Sequence, residues 1–530
     1  MTEGPSLRGE ISRTVSRGVF YLTIEKGLAV VSGIAYFALL LRWLGPTKYG
    51  IMTLALSFTG LATMMTGNFE AFLERFAAEY QARGQYLTLR RAQFQAMGIK
   101  LALGLLTGLV LVFSARFIGK QFAVPELGLL LPILSLTIMF EGISTTGRAT
   151  LYGLQQFRSI SGIALVFHVV KTVMVALLWW FQKGLLELAI GMTVLTILQG
   201  AVSAGVPLWM LRRAHDPEGA EGPRGRVLAR GIFSYCLPLL GARVTFLSGQ
   251  NLGKILLGKI FDATLLGYFS FAYQTVDRFV EVIYALPSSL LPSLTRLVAR
   301  GERERMRFVL EQSLRLIQVV ALILSVGMVV GAREITLLVG SPLFEPAIPL
   351  LRILALVPFA RTAQQPLTML FQALKLPGIV FVLALIKFAF EFGCYFALVP
   401  TLGLAGAGWA NLAGAVAAFV AAQWALRRAL PGGAADRART TLRMLALLAP
   451  FLGAGLALDS VLDPPAAFLA KLVLVPLALL AAFAFGMVTG EDLETVATLP
   501  LNAGWMRRAR DIAVAAGERV ARVVAVRRVL

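Results

Sequence analysis

Leu44 to Ala55 reads LGPTKYGIMTLA, and a degraded copy, FDATLLGYFSFA, returns at Phe261 to Ala272. At a constant offset of 217, Thr47 falls on Thr264, Gly50 on Gly267 and Ala55 on Ala272, with Leu44 opposite Phe261 and Tyr49 opposite Leu266. In both places the segment lies between two long apolar runs, so it reads as a short connection feeding a span that starts at the shared glycine. A second anchor, GLLELAIGM from Gly184 and GLAGAGWAN from Gly403, recurs at an offset of 219 in the same relative place. Two anchors at nearly one offset make this an internal repeat.

Of 530 residues, 57% are apolar and 15% charged. The apolar residues gather in runs of roughly 20, the length that crosses a hydrocarbon core as helix. This predicts an all-α polytopic membrane protein of about 14 transmembrane helices, near residues 18–41, 50–69, 94–113, 127–147, 160–181, 186–211, 232–257, 263–291, 309–330, 347–373, 378–398, 404–425, 444–462 and 466–488. The first run is too long for a signal-peptide core and lacks a small-residue cleavage site, so it is expected to stay in the mature protein. Six spans separate the anchors in each half. Because six is even, both halves start on the same side, as two bundles related by a pseudo-two-fold along the membrane normal. The expected organisation is an N-terminal half (1–211), a Gly/Pro-rich charged linker (212–231), a C-terminal half (232–425), two additional spans without counterpart (426–488) and a basic tail (489–530).

The net charge of +21 sorts by loop. With a cytoplasmic N-terminus, the inside segments hold 32 basic residues and the outside ones 8. That imbalance follows the positive-inside rule and puts both termini in the cytoplasm. The charge therefore reports topology and anionic lipid contact, and no nucleic-acid partner is needed to explain it. Between spans 2 and 3, Phe72, Phe76 and Tyr80 recur at i, i+4 and i+8, predicting a helix on the cytoplasmic surface. Trp505 to Leu530 suits either an amphipathic surface helix or a solvated tail.

Catalytic chemistry is not evident. Cys236 and Cys394 fall inside apolar runs, where packing is the simplest role. With only His168 and His215 beside them, no cluster has metal-ligand spacing. No phosphate-binding glycine loop and no Ser-His-Asp set stands outside the apolar runs. A membrane-embedded glycan polymerase or ligase would call for a sizeable outer loop, whereas the longest outer connection is about 16 residues.

A basic N-terminus, a first span closed by RWLGPTKYG at Arg42 to Gly50, a helix-rich first loop, two six-span halves and VPTLGLAGAGWANL at Val399 to Leu412 together resemble a known family. It is the polysaccharide-transport branch of the multidrug/oligosaccharidyl-lipid/polysaccharide exporter superfamily, and the resemblance covers nearly the whole chain. It implies a lipid-linked oligosaccharide flippase of the bacterial plasma membrane, serving surface polysaccharides such as O-antigen or exopolysaccharide. Such a protein moves an undecaprenyl-pyrophosphate glycan to the outer leaflet by alternating access, with spans 1, 2, 7 and 8 lining the cavity. No cofactor is implied, and coupling to H+, Na+ or the membrane potential stays open, as do other polysaccharide-assembly membrane proteins as partners. A multidrug-type small-molecule exporter of the same superfamily is the nearest rival. A scaffold role fits poorly with so many charges inside spans.

Ionisable groups inside spans are costly unless they face protein or water, so each is a candidate. In span 7, Arg243, Gln250 and Lys254 sit at i, i+7 and i+11 on one face, with Asn251 adjacent. That cationic stripe suits a pyrophosphate, for which Arg supplies a planar fork and Lys a point charge. A Lys254 snorkelling to the outer interface and an Arg243 bonded to span carbonyls is the plainer alternative. In span 8, Tyr273, Asp277, Glu281 and Tyr284 share a second polar face, with Arg278 beside Asp277. These carboxylates are expected either to take up protons and trade partners with the span 7 cations, or to form a static Arg278–Glu281 bridge. Glu25 and Lys26 in span 1 carry the same two readings. Lys387 and Glu391 read as a structural i, i+4 pair. Lys100, Glu141, Lys171, Arg315, Arg352 and Arg361 have no partner that sequence spacing can identify.

Overall fold

The computed structural model describes residues 7–214, 225–284, 290–374, 376–430, 434–461 and 464–485. All the regular structure among them is helical. Eight of these helices are long and apolar enough to cross a membrane, nine if the pair Pro342–Leu354 and Val357–Ala373, bent by 42°, counts as one span. The basic tail from 489 onward and residues 215–224 of the linker lie outside the described residues. Two compact units share out the chain, Met1–Ser270 and Phe271–Leu530.

The first unit holds helices α1 (Leu7–Met64), α2 (Glu70–Ala82), α3 (Tyr86–Gln121), α4 (Leu127–Gly153), α5 (Phe157–Trp180), α6 (Leu185–Arg213), α7 (Gly225–Ile260) and the start of α8 (Ala263–Tyr284). Spans 1 and 2 both fall within α1, broken at Gly45 with φ 64° and ψ 179°. Only glycine reaches that conformation without strain, and Pro46 follows it as the first residue of a new helix. The break is a reversal. The rings of Phe37 and Tyr49 lie 6.1 Å apart, edge to face, whereas twelve residues of straight helix would separate them by about 18 Å.

Both copies of the repeated segment meet in this unit. The hydroxyls of Thr47 and Thr264 are 2.9 Å apart. A methyl group on Gly50 would stand 1.7 Å from the carbonyl oxygen of Ala263, and one on Gly267 would stand 2.0 Å from that of Pro46. Since Ala263 is the repeat equivalent of Pro46, the contact is reciprocal. The repeat is thus realised as a local two-fold whose closeness requires glycine at both positions.

Helix α2 forms where the Phe72, Phe76 and Tyr80 spacing predicts it, but its apolar face turns to protein. Phe72, Leu73, Ala77 and Tyr80 are buried with Leu89, Ala92 and Ala96 of α3, Ala149 of α4, Leu211 of α6 and Ile232 of α7. Phe72 also stacks on Phe76 at 4.4 Å. Helix α3 then starts at Tyr86 instead of near residue 94, because its first two turns pack on α2.

The second unit continues α8 and adds α9 (Leu290–Ala299), α10 (Arg303–Val330), α11 (Ala332–Ile335), a π turn and a 3-10 turn, α12 (Ile348–Leu354), α13 (Val357–Ala373), α14 (Pro377–Leu402), α15 (Leu404–Ala429), α16 (Ala434–Val461) and α17 (Pro464–Ala484). The single helix expected over 347–373 is in fact broken between α12 and α13. Pro358 has no N–H for the carbonyl of Leu354 and its ring crowds that position, so the chain bends there. The two additional spans pack into this unit. Met444 and Leu447 of α16 and Ala478 and Ala482 of α17 share a core with Ile317, Leu322 and Val326 of α10. Lys471 of α17 also pairs with Glu334 of α11 at 2.7 Å.

Candidate functional site

The second half of α1 and the turn after it place Thr59, Thr63 and Thr66 opposite α4 and α6. Each hydroxyl donates to a carbonyl three or four residues back: Thr59 to Leu56 at 3.1 Å, Thr63 to Thr59 at 2.9 Å and Thr66 to Thr63 at 2.7 Å. Back-bonding spends the proton and leaves oxygen lone pairs facing outward. They face a cavity of about 390 Å³ inside the first unit, lined also by Glu70, Lys100, Thr137, Glu141, Thr145, Thr196 and Asn251. Asn251 is one of the sequence candidates. Its amide lies over Gly60, where a methyl group would come within 3.1 Å of it.

A buried ion pair forms one wall. Lys100 Nζ stands 2.5 Å from Glu70 Oε2, with side chains only 4% and 8% exposed. It also donates to the Thr145 hydroxyl at 2.9 Å, which in turn donates to the Gly142 carbonyl at 3.0 Å. Gly142 gives passage to the lysine stem: a methyl there would meet Lys100 Cβ at 3.2 Å. Sequence spacing could not find this pair, because thirty residues and a turn separate the partners. The one signal was the strength of each oddity alone: a lysine inside an apolar span and a glutamate opening an amphipathic helix. Glu70, Lys100 and Glu141 bring ionisable groups to the same lining as the hydroxyls. The lining as a whole is rich in hydroxyls.

In the second unit, Asp277 of α8 meets Arg361 of α13 at 2.6 Å, half-buried on both sides. The carboxylate thus has a cation from its own unit, one that sequence spacing left without a partner. Arg278 and Glu281 bridge at 3.1 Å on the exposed side of the same helix, as the i, i+3 spacing allows. Tyr273 is half-buried one turn earlier. Lys387 and Glu391 pair at 2.7 Å, and the second carboxylate oxygen accepts from Asn411 at 2.7 Å, so this group is a saturated structural tie between α14 and α15. Of the span 7 stripe, Lys254 is half-buried on α7 one turn beyond Asn251. The side chains of Arg243 and Gln250 on α7, and of Glu25 and Lys26 on α1, lie outside the described residues. Among the described residues no group of three or more His, Cys, Asp or Glu side chains could hold a metal ion.

The profile of a family described as polysaccharide biosynthesis protein matches residues 39–349, more than half of the chain. The chain belongs to this polysaccharide biosynthesis family. No curated protein sequence matches it. Among solved structures, an inward-facing multidrug resistance MATE transporter of the MOP superfamily is similar at a TM-score of 0.66 and 14% identity, over 78% of this chain and 98% of that one. The lipid II flippase MurJ in an inward closed conformation is similar at 0.63 and 14% identity, over 87% and 97%. The eukaryotic MATE transporter AtDTX14 follows at 0.56 and 12% identity, over 81% and 100%. At such identities the likeness is one of fold. Together with the family match and the long apolar helices, it makes the chain a multi-pass membrane member of the polysaccharide biosynthesis family whose fold is shared with MATE and MurJ structures.

Proposed function

We propose that this family member is a flippase that moves an undecaprenyl-pyrophosphate-linked oligosaccharide from the cytoplasmic to the outer leaflet of a bacterial plasma membrane by alternating access. Both termini are cytoplasmic on this reading, as the sorting of basic residues requires. The observation that carries it is the polysaccharide biosynthesis match over residues 39–349 on a chain whose fold is shared with a lipid II flippase. The hydroxyl-lined cavity supports it, since threonine oxygens and the Asn251 amide offer acceptors and donors suited to sugar hydroxyls.

Arg243, with Lys254 and Lys26 in support, binds the pyrophosphate, and Gln250, Asn251 and Arg278 complete the polar contacts to headgroup and glycan. Asp277, with Glu281, Glu25 and Tyr273, belongs to the coupling and cavity machinery. The Asp277–Arg361 pair is where a substrate phosphate competes with the carboxylate for the guanidinium. The decisive assay is flipping of a fluorescent lipid-linked oligosaccharide in proteoliposomes. Arg243→Ala is expected to lower the initial rate about tenfold or more, the loss of one charge-assisted contact of ~1.5–3 kcal/mol. An unchanged rate removes Arg243 from the headgroup site. Export of an organic cation without movement of the glycan lipid favours the multidrug-type reading.

A further inference from the structure

A second cavity, of about 430 Å³, opens between α14 and α15 at the basic end of α15. Its walls are almost wholly apolar, from Ile379, Val382 and Ile386 on one helix and Ala421 and Ala425 on the other. Its mouth carries Trp424 and Arg428. The guanidinium of Arg428 lies 3.8 Å over the Trp424 ring. Stacking occupies the face of the guanidinium and leaves its in-plane N–H fork for an oxyanion. An apolar trough ending in a tryptophan and an arginine, at the end of a membrane-spanning pair, has the profile of a lipid: a chain along the trough and a phosphate at the interface.

The same device stands at the end of α6. Trp209-Met-Leu-Arg-Arg213 and Trp424-Ala-Leu-Arg-Arg428 share four of five residues, and Arg213 lies 3.9 Å over the Trp209 ring. Each half therefore ends its sixth span with an arginine stacked on a tryptophan one turn earlier.

We propose that the α14–α15 trough is a binding site for an anionic phospholipid of the surrounding bilayer, with one acyl chain between the helices and its phosphodiester on Arg428. The occupant is a membrane phospholipid and not the transported lipid, because one guanidinium matches a singly charged phosphodiester, whereas a pyrophosphate calls for several cations. Arg427, the residue before Arg428, is exposed and does not line the trough. The site does not depend on which glycan, or whether any glycan, is transported.

Native mass spectrometry of the full chain, released from nanodiscs containing phosphatidylglycerol or phosphatidylcholine, tests this directly. The intact protein is expected to retain phosphatidylglycerol over phosphatidylcholine. Arg428→Gln is expected to lower that preference about fivefold, the worth of one basic side chain near a charged surface, and Arg427→Gln to leave it intact. Ala425→Leu, which fills the trough, should reduce retention of both lipids, with circular dichroism and size exclusion confirming that the variant is folded. Equal retention of the two lipids by the intact protein overturns the proposal. So does an equal loss in both arginine variants, which means diffuse attraction with no site. Displacement of phosphatidylglycerol by stoichiometric lipid-linked oligosaccharide also overturns it, assigning the trough to the transported lipid.

Discussion

Lys100 and Glu70 show what a single pair does in this protein. Each is nearly fully buried, and each would be a liability alone, because the cost of dehydrating a charge exceeds anything apolar packing returns to it. Lys100→Met is therefore expected to destabilise by about 3–5 kcal/mol, by stranding the Glu70 carboxylate. Adding Glu70→Gln to it should recover most of that loss, since both charges then go together. Thermal unfolding in detergent of the two single variants and the double variant reads the coupling; additive losses would show that the pair is not a unit. Residues of this kind were only half legible. Sequence spacing exposes partners one turn apart, which is why Arg278–Glu281 and Lys387–Glu391 could be read in advance. Lys100–Glu70 and Arg361–Asp277 join different helices, and no periodicity carries that information.

Among the elements, the repeated segment is where reading and structure agree most closely, because a glycine between apolar runs has few other uses. Its internal alignment foretold which positions correspond, and the structure shows the two copies touching through them: Thr47 against Thr264, and Gly50 and Gly267 each against the carbonyl four residues before its counterpart. What periodicity could not convey is that Gly45 folds two spans back on each other, or that Pro358 breaks a third. Hydropathy counts apolar residues and is blind to a bend within them. If transport works by alternating access, this close crossing is a place where helices must part. Thr47→Cys with Thr264→Cys should then cross-link under mild oxidation, stopping flipping until a reductant is added. Flipping that continues while the bond is formed would mean the crossing stays closed throughout the cycle. Gly50→Leu drives a side chain into a carbonyl, and the overpacking is expected to cost about 1–3 kcal/mol, measured as a lowered unfolding temperature.

At the scale of the whole molecule, composition alone establishes a helical membrane protein, and the comparisons add its polysaccharide biosynthesis family and a fold shared with MATE and MurJ structures. The role of the last two spans was not readable, since an apolar helix looks the same whether it faces lipid or a neighbour. Their burial against α10 and the Lys471–Glu334 pair make them part of the second unit. Lys471→Met should destabilise by about 1–3 kcal/mol, less than Lys100→Met, because Glu334 keeps 22% of its surface in solvent and is partly relieved by it. A loss as large as that of Lys100→Met would mean that Glu334 is sealed more deeply than its exposure indicates. One consequence of the Gly50–Gly267 crossing reaches beyond stability. A patch that meets its own equivalent, with each residue contacting the counterpart of its neighbour, has the form of an isologous subunit interface. The chain thus makes, between its own repeat copies, the kind of contact that two identical subunits make across a two-fold axis. Along that contact a side chain added to either copy has to be accommodated by the other, since each shared glycine lies against the backbone of the opposite copy.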